Sequence, residues 1–411
     1  MTLTAKQNTP ETADGSAKES FLIPIELGLL DFEGKELALS TTDDSFTQSN
    51  QVWLVSNDEQ SIEFNGLSEM PAISLLRDFS APVLLTDDLT DEERVLLIGA
   101  DTNGYNRWEQ CQIIYKKLIL QKVEGSFDAT LLSSLMKSLD QLISDPSVEN
   151  AVKAELLSLP AEVELLQVSP KVDILAVAES RNALKLLISE SLSGAITKVY
   201  QSLSATDVYR FDSQSVGQRK LRNELLEYLM LVDMKPATEL ASAQFANANN
   251  MTDQLSALRL LVKYADEGVY QPALNQFLAQ WKSDTQVLEQ WFRVQIARSD
   301  SKTLNRVKAL LDHRLFEYQN PNKVRAVIGA FAMGNIEGFH AKDGSGYEFL
   351  AEQVATLDSL NPQIAARLVG PLIKWQSYDD RRGLQMKGAL EQLSEKDLSK
   401  DLYEVVSKSL V

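Results

Sequence analysis

The apolar positions of this chain follow two different rhythms, and the change comes near residue 86. From Thr2 to about Leu85 they gather in short runs of β type: Phe21 to Leu29, Gln51 to Val55, Ser61 to Phe64, Ala72 to Phe79 and Pro82 to Leu85. Within the first run Ile23, Ile25, Leu27 and Leu29 occupy alternate positions, which gives a strand one buried face. Glu33-Gly34 separates that run from Glu36 to Leu39 and reads as a hairpin turn, because glycine reaches positive φ without a Cβ penalty. Residues 1–86 are therefore expected to form a small antiparallel β-sandwich.

From Asp91 onward apolar residues recur at spacings of three and four, as in Leu131, Leu132, Leu135, Leu139 and Ile143, so residues 87–411 are expected to be helical throughout. The polar run Thr86 to Thr90 has the composition of a link and of an N-cap supply. Ser345 with Glu348 reads as a capping box, and Asp145-Pro146, Asn320-Pro321 and Asn361-Pro362 each place an N-cap side chain ahead of a proline whose missing N–H costs nothing there. The last two starts repeat a pattern: each puts an arginine, Arg325 or Arg367, in the second helical turn, and their prolines stand 41 residues apart. That offset falls in the range of roughly 40 to 47 residues found for two-helix solenoid repeats, whose stacking brings both arginines to one rim. The fold class expected is mainly α with a small all-β domain.

A chain of 411 residues with 44% hydrophobic and 24% charged residues has the material for a sizeable core spread over two or three domains. Its formal net charge of -18 repels phosphate backbones and anionic lipid, which argues against nucleic acid and membrane partners. The first twenty residues carry no basic start followed by an apolar core, and the run from Phe21 to Leu30 is broken by Pro24 and Glu26. A single cysteine, Cys111, forms no internal disulfide and reads as a small buried residue; the expected compartment is the cytoplasm.

Candidate chemistry is sparse. The two histidines, His313 and His340, lie 27 positions apart and in no H-E-x-x-H arrangement, whereas a zinc peptidase site needs three protein ligands, usually with two His one helical turn apart. His313 precedes Arg314 at an expected helix end, where an imidazole suits the negative end of the dipole. Gly344-Ser345-Gly346 lacks the context of a phosphate loop and reads as a helix start. Glu92-Glu93 and Asp379-Asp380 are adjacent carboxylates that do not face each other on a helix, and Trp108, Trp281 and Trp291 sit at apolar helical positions suited to core packing.

Several strings nevertheless fit one known pattern in one collinear order: Phe79-Ser80-Ala81-Pro82-Val83, Arg107-Trp108-Glu109 with Gln112, and Ala248-Asn249-Asn250-Met251-Thr252-Asp253. Further along come Asn320-Pro321-Asn322 with Arg325, Ile328-Gly329-Ala330-Phe331, and Phe339-His340-Ala341 with Asp343-Gly344-Ser345-Gly346-Tyr347. Ala389-Leu390-Glu391-Gln392-Leu393 and Asp401-Leu402-Tyr403-Glu404 close the series. Across nearly all of its length the chain resembles the C-terminal half of the bacterial aminopeptidase N family, the alanyl aminopeptidases of the H-E-x-x-H zinc metallopeptidases.

The resemblance implies an Ig-like β-sandwich followed by an α-helical superhelix of HEAT or armadillo type, and a zinc-dependent parent enzyme that removes N-terminal residues from peptides. It also implies partners in the parent's own N-terminal and catalytic domains, and a peptide substrate. In this family the helical half caps the active-site chamber and reaches the substrate's C-terminal side, at positions that match Arg325, Gln363 and Arg367 here. Guanidinium forks suit that task because they bind carboxylate bidentately and stay charged, and Gln363 and Arg367, four apart, share a helix face. The H-E-x-x-H and G-x-M-E-N strings of the catalytic domain do not occur here. The chain itself is therefore expected to carry no catalytic residues, no metal and no activity of its own. Thr2-Leu3-Thr4 reads as a strand entered midway, which fits a chain that starts after that domain. The competing expectation is a free-standing helical scaffold that binds protein partners.

Overall fold

Alternation in the first 75 residues becomes seven strands: β1 Thr2–Lys6, β2 Ile23–Leu30, β3 Glu36–Leu37, β4 Phe46–Thr47, β5 Val52–Val55, β6 Glu59–Glu63 and β7 Ala72–Leu75. The structure, a computed structural model, describes residues 1–13, 15, 18–203 and 208–411. Packing separates them into one unit of Met1–Leu118 with Phe127–Ser158 and another of Ile119–Ser126 with Leu159–Val411.

In the first unit β1 pairs with β6, and β2 holds β3, β5 and β7 in a second sheet, every pairing antiparallel. Leu27, Leu29, Trp53, Val55, Ile62 and Phe64 are buried in one cluster, with Leu3, Ile23 and Ile25 packed against it, so residues of both sheets share a core. The hairpin turn forms as expected: Gly34 has φ +83, its N–H donates to the Asp31 carbonyl, and Leu29 pairs with Leu37. On the opposite face of β2, Leu30 packs with Ala72 and with Leu97 of the Asp91–Ala100 helix. That helix starts in a capping box, Thr90 Oγ1 accepting from the Glu93 N–H while the Glu93 carboxylate accepts from the Thr90 N–H.

Two expected runs differ. The last strand stops at Leu75 because Leu76, Asp78 and Phe79 take left-handed φ between +53 and +55, which turns the chain. Pro82 to Leu85 forms no strand; residues 80–90 are irregular, and Leu84 is fully exposed. The turn at Leu76 sends Arg77 inward. Its guanidinium, 5% exposed, meets Asp101 at 3.0 Å and Glu36 at 2.5 Å, and its Nε donates to Ser74 Oγ at 3.0 Å. Asn106 Nδ2 donates to the Ser74 hydroxyl and to the Leu75 carbonyl, so sheet and helices share one buried polar cluster. Gly28 makes room for it, since a Cβ there would lie 2.2 Å from the Arg77 guanidinium carbon.

The second unit is all helical among its described residues. Asn320 and Asn361 cap the helices that begin at Pro321 and Pro362, Asn320 Oδ1 accepting from Asn322 and Lys323 and Asn361 Oδ1 from Ile364. Leu368 lies 3.8 Å from where a Cβ on Gly329 would stand, so the two segments touch. Two other expected starts are corrected. Asp145-Pro146 opens no helix: Asp145 follows the Ala129–Ser144 helix and its carboxylate accepts from the Ser147 N–H and hydroxyl, closing a turn before the helix that starts at Asn150. Ser345 and Glu348 form no capping box, because the chain arrives through Gly344 at φ +78 and Asp343 accepts from the Ser345 N–H instead. Gly346 is needed there, as a Cβ would come within 2.2 Å of the Phe339 carbonyl oxygen.

Early and late helices of this unit meet. The Ile174–Ser191 helix packs on the short Ile336–Phe339 helix, and Asn182 Nδ2 donates to Glu337 Oε1 across 155 residues. Its N-cap, Asp173, pairs at 2.8 Å with the buried Arg382, which also holds Asp379 at 2.7 Å.

Removing Asp101 takes away the fully buried partner of Arg77 and leaves its guanidinium with the partly exposed Glu36 alone. Asp101→Ala is expected to lower unfolding stability by roughly 3 to 5 kcal/mol, measured by denaturant melts. A loss below 1 kcal/mol would show that Glu36 alone suffices.

Candidate functional site

Six helical segments of the second unit line a cleft of about 680 Å³, three of them through residues spaced three and four apart on one helix face. Leu255, Arg259 and Lys263 come from the Met251–Tyr264 helix at intervals of four, and Ala178, Arg181 and Asn182 from the Ile174–Ser191 helix. Gln290, Arg293 and Val294 belong to the Thr285–Val294 helix. Arg325, Gly329 and Met333 come from the helical segment that begins at Pro321, with Glu162, Ile336 and Glu337 completing the rim. Across Arg325–Gly329 that segment widens into one π turn, the Ala330 N–H donating to the Arg325 carbonyl, an irregularity often found where a helix serves a site.

The side chains make the cleft basic in an acidic chain. Five cations, Arg181, Arg259, Lys263, Arg293 and Arg325, face two carboxylates, Glu162 and Glu337. Two of the five are engaged. Arg181 donates to the Pro160 and Leu159 carbonyls and stands 3.8 Å from Glu162. Lys263 pairs with Glu227 at 2.7 Å, and burial pulls its ammonium below the ordinary lysine range despite that pairing. Arg259, Arg293 and Arg325 are exposed and make no ion pair among the described residues; Arg325 donates to the neutral Asn322 amide.

Behind Lys263 lies a buried relay of charge. Lys185 Nζ sits 3.3 Å from Glu224 and 3.1 Å from Glu227, and the Tyr264 hydroxyl donates to Glu227 Oε1 at 3.1 Å. Burial pushes the Glu227 carboxyl up, but Lys185 and Lys263 reverse this and hold it well below the usual carboxylate range. Burial outweighs Lys185 at Glu224, whose carboxyl is raised. At the rim, desolvation raises the Glu337 carboxyl against the pull of Lys263.

The cleft walls are held by side chains that satisfy helix ends. Asn335, 3% exposed, donates to the Ile296 carbonyl at 2.7 Å and the Arg298 carbonyl at 3.2 Å, while its Oδ1 accepts from the Gly338 N–H and the Ser299 hydroxyl. Arg298 Nη1 donates to the carbonyls of Val262 and Ala265 at the end of the Met251–Tyr264 helix.

Of the three residues singled out from sequence, Arg325 lines this cleft, whereas Gln363 and Arg367 do not. Those two are exposed on the Pro362–Leu368 helix, and Arg367 makes no ion pair among the described residues. Sequence reasoning missed Arg181, Arg259, Lys263 and Arg293; the one signal was the four-residue interval from Arg259 to Lys263, which puts two cations on one helix face.

Neither histidine is placed as a zinc ligand. His340 is 2% exposed, its Nδ1 is 2.8 Å from the Tyr347 hydroxyl, and burial with the nearby Arg382 lowers its pKa to about 3. His313 follows the Thr303–Leu311 helix, accepts from the Leu315 N–H and packs at an angle against the rings of Trp291 and Phe292, with burial lowering its pKa. Cys111 is fully buried, its thiol pushed up to about 12. Among the described residues no three His, Cys, Asp or Glu side chains gather as metal ligands, and no helix is long and apolar enough to cross a membrane.

Comparison with known proteins accounts for the whole chain. Residues 91–411 match the family described as domain of unknown function DUF3458_C, ARM repeats, and residues 1–88 match DUF3458, Ig-like fold. The chain is 35% identical over its full length to Aminopeptidase N of Escherichia coli (strain K12), covering 47% of that protein. It is 33% identical to Aminopeptidase N of Haemophilus influenzae over 99% of the chain and 47% of that protein. A crystal structure of Legionella pneumophila aminopeptidase A in complex with aspartic acid superposes with a TM-score of 0.82 at 30% identity, over 94% of this chain and 45% of that one. The chain thus spans about half the length of the curated relatives it matches.

The buried imidazole yields a pH prediction. His340 binds its proton in the unfolded chain near pH 6.5 but in the folded one only near 3, so stability falls as pH drops through that window, by an amount on the order of a few kcal/mol. The His340 ring should stay neutral at pH 5 by NMR, and His340→Gln should flatten the acid slope of unfolding stability. A His340 ring that titrates near 6.5 would contradict the burial argument.

Proposed function

Because the chain belongs to the family of the DUF3458 Ig-like and ARM-repeat domains, we propose that it is the substrate-holding half of a zinc-dependent aminopeptidase N, in which the basic cleft receives the C-terminal side of a peptide. The observation that carries this reading is the cleft itself: five cations against two carboxylates, with Arg325 among them, in a chain of net charge -18. A peptide whose N-terminus sits at a catalytic centre must place its carboxylate elsewhere, and a cleft with unpaired guanidinium groups offers a bidentate partner for it. Arg325, Gln363 and Arg367 are the residues proposed to touch that end, the first from the cleft and the other two from the neighbouring Pro362–Leu368 helix.

In this reading the chain's partners are the N-terminal and catalytic domains of the same enzyme, which hold the zinc, and the enzyme works in the cytoplasm. Residues 1–86 form the Ig-like domain and residues 87–411 the helical one that caps the chamber. The chain alone hydrolyses no peptide bond; chelator-sensitive cleavage of an aminoacyl anilide by the purified chain would overturn this.

The test joins the chain to its catalytic half. Arg325→Ala and Arg367→Ala are each expected to lower kcat/KM for a tetrapeptide by about ten- to a hundredfold, the value of a charge-assisted hydrogen bond of roughly 1.5 to 3 kcal/mol. Turnover of an aminoacyl anilide, too short to reach either side chain, should persist. Equal losses on both substrates would assign the arginines to domain docking instead.

A further inference from the structure

One terminal carboxylate does not account for the cleft. It needs one guanidinium fork, or two at most, and the cleft offers three arginines that make no ion pair among the described residues, Arg259, Arg293 and Arg325, although Glu224 and Glu227 act on Arg259 from a longer range. They stand on three segments packed in succession, the Met251–Tyr264 helix against the Thr285–Val294 helix and that helix against the Arg325–Gly329 turn. Lys263 is not part of the surplus, since Glu227 already holds it, and Arg181 is occupied by two carbonyls.

We infer that the cleft selects peptides carrying a second carboxylate, on an acidic side chain near their C-terminal end, and that Arg259 and Arg293 receive it. The inference rests on the reading that the peptide's terminal carboxylate lies at Arg325. Like-charged guanidinium groups sharing one cleft repel one another, and a dianionic ligand relieves that repulsion where a monoanionic one leaves part of it. A basic side chain at the same place adds to it. Because Arg259 and Arg293 are exposed, their selectivity is an electrostatic effect that salt weakens.

Calorimetric titration of the 411-residue chain tests this without catalysis. The probes are the tetrapeptide Ala-Ala-Glu-Ala, its Gln counterpart and its Lys counterpart, each with a free C-terminal carboxylate. At low ionic strength the Glu peptide should bind roughly five- to tenfold tighter than the Gln peptide, and the Lys peptide weakest. The Glu-to-Gln preference should shrink toward one in 0.5 M salt and collapse in Arg259→Gln and in Arg293→Gln, while Arg293→Lys, which keeps the charge, retains part of it. If the Glu and Gln peptides bind equally, and both lose affinity when C-terminally amidated, the acidic-side-chain inference falls while the cleft keeps its terminal carboxylate. If none of the peptides binds, the proposed role of the cleft falls, and this inference with it.

Discussion

Every wall of the cleft is a helix, and every helix ends in carbonyls that have no partner inside it. Where these ends meet beside the cleft, the carbonyls belong to Val262, Ala265, Ile296 and Arg298: Arg298 takes the first pair and Asn335 the second, with Thr303 and Arg306 also donating to the Arg298 carbonyl. A buried carbonyl left without a donor costs about 1 to 3 kcal/mol, which is what the bonds to Val262, Ala265 and Ile296 avoid. They also fix where the Met251–Tyr264 and Thr285–Val294 helices stop relative to the segment that begins at Pro321. That relation sets where Arg259, Arg293 and Arg325 stand.

Charge is distributed to match. An acidic chain with a basic cleft focuses an anionic ligand toward one place, and the surrounding carboxylates discourage it from binding elsewhere. The buried relay of Lys185, Glu224, Glu227 and Lys263 keeps the lysine's charge spoken for. The three arginines make no ion pair among the described residues, and only Arg259 feels Glu224 and Glu227 of that relay, from a longer range.

Much of the fold was legible from period and punctuation. The change from alternation to three-and-four spacing separated sheet from helix, Gly34 marked a hairpin, and the two Asn-Pro pairs marked helix starts that the structure bears out. The failures were local competitions. At Ser345 a left-handed glycine and Asp343 displaced the expected capping box, and at Asp145 a turn took the side chain that a helix could have used. Pro82 to Leu85 has strand-like residues but pairs with no strand, and pairing is a matter of tertiary structure with no trace in the run itself. Arg325 was found through the resemblance and the repeated helix start. The other arginines were not, because they come from helices far apart in sequence and only packing brings them to one cleft.

The contacts that join Asp173 to Arg382 and Asn182 to Glu337 change what kind of array this is. In an open solenoid each repeat meets only its neighbours, so it can form and fray one repeat at a time. Here the earliest long helix of the second unit is incomplete until elements 155 residues later arrive. Closing so long a stretch costs chain entropy before any contact repays it, which moves the unit from stepwise growth toward a slow, concerted event. Contacts of such high sequence separation couple the stabilities of helices that never touch, and a nick in any intervening loop reaches them all.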